Sequence, residues 1–246
     1  MDRFGNDMDS SGAASMPGLG RYAVAERTFF HRVFGWMGGG LLLTALVAWY
    51  FGSPARFASL FGAGRGIFIV LVLAQLGLVF AINSAIRRLS EGWAASLFVV
   101  YSALMGLTLS SIFLVYTTGS IASAFFAAGG TFAAAGIYGA VTKKDLTSFG
   151  GLMFMALVGI VLATLVNLFL HSNGLSMVIS YIGVFVFIGL TAFDVQKLKM
   201  WHQNGVEGGG ADRALAIGGA LTLYLDFINL FLFLLRIMGD RRRDQS

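Results

Sequence analysis

Seven apolar stretches, each close to the length a bilayer demands, constrain this chain more than any motif. A helix needs about 20 mostly apolar residues to cross the hydrocarbon core. The stretches are Val33–Phe51, Gly66–Ile86, Trp93–Tyr116, Ser120–Val141, Gly150–Leu170, Met177–Lys197 and Ala214–Ile237. None alternates with period two, and all are too long for barrel strands, so the membrane reading is helical. With 57% hydrophobic and 12% charged residues, the chain lacks the polar surface of a soluble domain, which is about a quarter charged. The expected class is an all-α integral membrane protein of seven transmembrane helices. A soluble enzyme is excluded on that ground. A nucleic-acid binder is excluded as well, despite a pI of about 9.7, because a basic groove needs polar surface. With no Cys, disulfides and thiolate metal sites are excluded.

Three regions follow: a polar, disordered tail over residues 1–26, a seven-helix domain over 27–239, and a basic tail over 240–246. No basic n-region with a short apolar core precedes the first span, so no cleaved signal peptide is expected. Lys and Arg set the orientation. Arg3, Arg21, Arg27 and Arg32 lie before the first span, Arg87 and Arg88 in the second loop, Lys143 and Lys144 in the fourth, and Lys197, Lys199 and Arg213 in the sixth. The opposite loops hold only Arg56 and Arg65. The N-terminus is therefore expected in the cytoplasm and the protein in a plasma or inner membrane. The tail cations Arg236 and Arg241–Arg243 disagree, since seven spans place them outside. Either upstream helices fix the topology or one segment is re-entrant, and seven spans is the preferred reading. Glycine clusters at Gly38–Gly40, Gly129–Gly130, Gly150–Gly151 and Gly218–Gly219 read as close helix packing.

Of twelve acidic residues only Asp194 and Asp226 lie within apolar segments, on the last two helices. A charge at the bilayer centre costs at least about 2.5–3.5 kcal/mol, so such residues face a partner or a water-filled cavity. Thr222, Asp226 and Asn229 share one helix face, and Thr191 and Asp194 share another. The two polar stripes are expected to face each other, at similar depth. Two nearby carboxyls in low dielectric tend to share a proton, and losing it creates repulsion between the helices. The alternative is that each Asp simply ties helices together. Arg87 and Arg88 end the second helix on the same side and either reach inward or anchor the interface. Gln75 and Asn83 are polar positions that line a path or pack. His31, His171 and His202 lack metal-ligand spacing and read as ordinary loop residues. Tyr101, Ser102, Thr108, Ser110 and Ser111 read as packing hydrogen bonders.

Four segments say more than composition does: YSALMGLTLSSIFLVYT at Tyr101–Thr117, TKKDLTSFGG at Thr142–Gly151, FDVQ at Phe193–Gln196, and ALTLYLDFINLFLFLLRIMG at Ala220–Gly239. Together they closely resemble the Bax inhibitor-1 (transmembrane Bax inhibitor motif) family, in a prokaryotic-type member, from Arg27 to Gly239. The resemblance implies seven helices with the last one central and surrounded by the other six. It also implies a pH-sensitive calcium leak sensed by paired aspartates, here Asp194 and Asp226, which would also meet the calcium. Arg87, or Arg88 one residue on, matches the family's latch arginine, and Gln75 stands near a pore-lining Glu of some relatives. Other members act through partner membrane proteins, including a quality-control protease, so a non-conducting regulator is the alternative function.

No catalytic residue and no cofactor is expected. An intramembrane aspartyl protease also carries one Asp on each of its sixth and seventh helices. Here Asp226 follows Leu223-Tyr224-Leu225 instead of a GxG pattern, and no Pro follows Pro54. A retinal-binding protein is excluded because every Lys lies at a loop or helix end. The expected partners are the lipid bilayer, calcium and protons, with a membrane protease or other membrane protein under the alternative.

Overall fold

The computed structural model describes residues 17–62, 65–87, 90–203 and 210–242. Among these, nine helices run in order: α1 (Pro17–Phe51), α2 (Pro54–Phe61), α3 (Arg65–Arg87), α4 (Glu91–Leu109), α5 (Ile112–Val115), α6 (Thr118–Val141), α7 (Thr147–Leu170), α8 (Asn173–Gln203) and α9 (Gly210–Met238). Seven spans are long and apolar enough to cross a membrane, with α4 and α5 forming the third together. In hydrocarbon no water satisfies a backbone N–H or C=O, so helices that close their own hydrogen bonds are the available solution. The third span breaks at Ser110–Ser111. There the Ser110 hydroxyl donates to Leu107 O (2.6 Å) and that of Ser111 to Thr108 O (3.0 Å), which supplies the carbonyls at the break with donors.

Two boundaries differ from the sequence reading. Helix α1 begins at Pro17, so Pro17–Glu26 are helical instead of belonging to a disordered tail; residues 1–16 lie outside the described set. The first connection contains α2, which starts with Pro54 in its first turn, where a missing N–H costs nothing. Arg56 of α2 donates to Tyr50 O (2.9 Å) and lies over the Tyr50 ring, 4.2 Å from its centroid.

The last span is central. Half of the apolar window of α9 is buried, as is half of α8, against 6% for α7. Five helices pack around α9, namely α1, α3, α4, α6 and α8. The expected ring of six is corrected at α7, which packs on α8 from outside. Packing makes this choice: α7 leaves Leu162, Val166, Phe169 and other apolar side chains facing the bilayer, and lipid solvates these as well as protein does. The core is Leu223, Tyr224 and Leu230 of α9, all inaccessible, with Val33, Ile82, Phe98 and Val195 from the surrounding helices.

The segment after α9 is fixed to the connection before α6. After α9, Thr117 N–H donates to Asp240 O (3.1 Å), Arg242 N–H to Val115 O (2.9 Å), and Asp240 N–H to the Ser120 hydroxyl (2.9 Å). The C-terminal strand-like segment is therefore clamped to the connection between the third and fourth spans. Odd-numbered connections share one face, so seven full crossings hold and the tail lies opposite the second, fourth and sixth connections.

Only part of the glycine set does the packing assigned to it. A Cβ at Gly139 would run into Ala192 O, and one at Gly150 into the Phe193 ring, so these bring α6 and α7 onto α8. Gly38, Gly39, Gly129, Gly130 and Gly151 have no atom within 4 Å of where a Cβ would stand. Gly139→Ala is expected to cost about 1–3 kcal/mol through overpacking against backbone. Gly159→Ala, which meets open space, is expected to leave stability unchanged or raised. Thermal unfolding of the two variants in detergent reads the contrast.

Candidate functional site

The last two helices converge on Asp194 and Asp226. Asp226 lies near the middle of its span, Arg213–Met238, and Asp194 is eight residues from the His202 end of its own, about 12 Å along the helix. The two side chains meet, and both residues are buried. Two carboxylates carry only acceptors, so such a contact becomes a hydrogen bond only when one of the two is protonated. Asp226 Oδ2 is buried, and no N–H or O–H among the described residues donates to it. Such an atom is costly in low dielectric unless its group is neutral.

The surrounding polar residues are arranged differently from the expected facing stripes. Thr191 donates to Phe187 O (2.7 Å), Thr222 to Gly218 O (3.2 Å) and Asn229 to Leu225 O (2.8 Å), each one turn back on its own helix. They satisfy themselves locally, which leaves the carboxyl pair as the polar contact from α8 to α9. Gln75 is buried between α3 and α4, where its Nε2 donates to the Thr108 hydroxyl (2.9 Å). Asn83 is exposed and donates to Val79 O (2.8 Å) on its own helix. Arg88 lies outside the described residues, and of Arg87 only the backbone, at the end of α3, is described. Its neighbour Ile86 fills the notch at Gly218, with Cδ1 2.9 Å from where a Cβ would stand, and Leu198 fills that at Gly219 (2.7 Å). These two aliphatic side chains pack against α9 about 10–12 Å along its axis from Asp226.

The FDVQ segment grips four different neighbours. Phe193 covers Gly150 and Asp194 meets Asp226. Val195 lies over Gly136, and Gln196 ties down the connection between α6 and α7. The Gln196 amide accepts from Leu146 N–H (2.8 Å) and donates to Lys144 O (2.8 Å). Three residues on, Lys199 Nζ donates to Ala140 O (2.9 Å) and lies 3.8 Å from Glu26 of α1. Lys197, one turn from Asp194, runs its Nζ over the Trp201 ring (4.8 Å) and the Phe193 ring (5.6 Å), toward the interface. In the same connection Asp145 accepts from Thr147 N–H (2.8 Å). The hydrogen bonds of the Thr147 side chain and backbone hold this exposed carboxyl below the ordinary carboxylate range.

A second buried polar cluster escaped sequence reasoning. The Tyr224 hydroxyl meets that of Thr44 (2.6 Å), and Thr44 donates to Ser102 O (2.8 Å), which joins α9, α1 and α4. The signal was a tyrosine, Tyr224, two residues before Asp226 and so on a different face of the helix from Thr222, Asp226 and Asn229. Among the described residues no group of three or more His, Asp or Glu side chains is placed to hold a metal. Calcium takes six to eight oxygens, so the two carboxyls meet an ion, if at all, as cargo. Of the three histidines expected in loops, His31 lies within α1 and His202 within α8, stacked on Phe29 (5.0 Å), while His171 is the exposed residue that caps the end of α7.

Seven spans around a central helix, with a pair of buried carboxyls in the apolar core, define a multi-pass membrane protein built around that pair. The family model described as inhibitor of apoptosis-promoting Bax1 matches residues 26–243. The chain belongs to the Bax inhibitor-1 family. It is 54% identical over 217 residues to the inner membrane protein YbhL of Escherichia coli K12, covering 88% of this chain and 93% of that protein. A protein of Deinococcus radiodurans is 46% identical over 215 residues (87% and 91%), and one of Borreliella burgdorferi 43% over 221 (90% and 95%).

Loss of the Gln196 clamp strands a buried N–H and a carbonyl, at about 1–3 kcal/mol each. Gln196→Ala is expected to speed tryptic cleavage after Lys143 and Lys144 by about tenfold or more. Cleavage at the wild-type rate would show that the connection is held by other contacts.

Proposed function

We propose that this protein is a pH-sensitive cation leak, with calcium as the cargo, whose conducting state is controlled by Asp194 and Asp226. The observation that carries the reading is a carboxyl–carboxyl contact between two spanning helices, with one Asp226 oxygen to which no described residue donates. The pair does no bond chemistry: it holds or loses a proton. With the proton retained, α8 and α9 stay in contact at mid-membrane. Once it is lost, two like charges in low dielectric repel, and water and a cation are the natural species to enter between them. A hard divalent ion suits carboxylate oxygens and keeps part of its water shell where only two carboxyls serve it. Gln75, a neutral amide held by Thr108, attracts such an ion less than a carboxylate would, which favours a slow leak. The cation-rich second, fourth and sixth connections place the N-terminus in the cytoplasm under this reading.

The test is calcium flux into liposomes holding the purified protein, stepped from pH 5 to pH 8, beside Asp194→Asn and Asp226→Asn. An Asn keeps a hydrogen-bonding partner in place and removes the titrating proton, so the leak in both variants is expected to be nearly flat with pH. Repulsion acting alone makes the wild-type leak rise with pH. A leak that instead rises on acidification identifies an arginine latch on ionised Asp194 as the dominant lock, with Arg87→Gln the next variant. Wild-type flux absent at every pH, or an unchanged pH profile in both variants, overturns the proposal.

A further inference from the structure

Helices α6 and α7 are consecutive in the chain, yet both are held by α8, which forms the floor of a groove between them. The groove encloses about 840 Å³. Gly130, Ala134 and Tyr138 of α6 form one wall, Phe149 and Met153 of α7 the other, and Gly189 lies in the floor. Its lining is apolar apart from Thr131 and the Tyr138 hydroxyl. Tyr138, Phe149, Gly130 and Ala134 are exposed, so the groove opens sideways into the bilayer. From Gly130 to Tyr138 it extends about 12 Å along α6. That is close to one leaflet's share of a hydrocarbon core about 30 Å thick.

The two walls are joined at one end by the 142–146 connection, which carries Lys143 and Lys144, both exposed. The Gln196 clamp on Lys144 O and Leu146 N–H fixes this connection beside the groove. An apolar trough one leaflet deep, with two ammonium groups at its membrane-face end, matches one molecule in both halves. We infer that the α6–α7–α8 groove is a binding site for an anionic glycerophospholipid. One acyl chain lies along Gly130, Ala134 and Gly189, and the phosphate meets Lys143 and Lys144. A partner's spanning helix fits less well, because it would cross the whole core, more than twice the groove's length. Gly130 has a direct part in this: nothing stands within 4 Å of its missing Cβ, so its smallness keeps the trough open without serving any contact inside the protein.

Native mass spectrometry of the detergent-purified full chain, titrated with phosphatidylglycerol or phosphatidylcholine of matched chains, tests the site. The wild type is expected to retain phosphatidylglycerol about tenfold better, since each lysine near a headgroup contributes about 1 kcal/mol. Gly130→Phe fills the trough and is expected to lower retention of both lipids, with Ala134→Phe as a second filling variant from the same wall. A thermal melt confirms which of the two is folded. Lys143→Gln/Lys144→Gln is expected to keep chain binding and lose the preference for phosphatidylglycerol. Equal retention of both lipids by the wild type overturns the inference, as does undiminished retention by a folded filling variant. A wild-type dimer that becomes monomeric in Gly130→Phe, with lipid retention unchanged, assigns the groove to a second copy and also overturns it.

Discussion

Two aspartic acids in one hydrocarbon layer form a stable fold only when they answer each other. Alone, each carboxyl would have to draw water into the bundle or carry an unsatisfied oxygen in low dielectric. In contact they shield each other from the hydrocarbon, and the helices that bear them can pack along their whole length. The centrality of α9 follows from the same requirement. A helix with an ionisable group near its midpoint has to be screened from lipid on every side, and five neighbours do so.

The FDVQ segment shows how one turn of helix couples this contact to the membrane face. Asp194 points to α9, Gln196 to the backbone of the α6–α7 connection, and Phe193 to the gap left by Gly150. Lys197 leaves along the aromatic surface of Trp201. A rotation of α8 that separated the carboxyls would therefore disturb the Gln196 clamp, and with it the segment carrying Lys143 and Lys144. The groove beside that segment shares its floor with the same helix. Proton state, connection and lipid-facing groove are thus attached to a single rigid element.

Small residues divide by what lies opposite them, a distinction with no counterpart in the residue type. Gly139 and Gly150 remove side chains where backbone and ring approach closely, whereas Gly129 and Gly130, close by in the same chain, face open space. Thr and Ser divide similarly. Thr44 reaches across to Tyr224 and Ser102 to join three helices. Thr191 and Thr222 turn back on their own helices.

The sequence by itself determined the number of spans, most of their limits though not the start of the first, the two ionisable positions in the apolar layer and the family. These are properties of composition along one dimension, and a bilayer reads composition directly: length, apolarity and the cost of a buried charge do not depend on neighbours. It also singled out the two carboxyls at membrane depth, while leaving open whether they meet or tie helices separately. The tertiary structure alone decided that α7 stands outside the ring around α9, that Thr191, Thr222 and Asn229 bond within their own helices, and that Gln196 rather than a charged residue holds the α6–α7 connection. Each of these depends on which side of a helix faces protein and which faces lipid. Lipid and protein core are almost equally apolar, so hydropathy carries no signal for that choice, and packing geometry makes it.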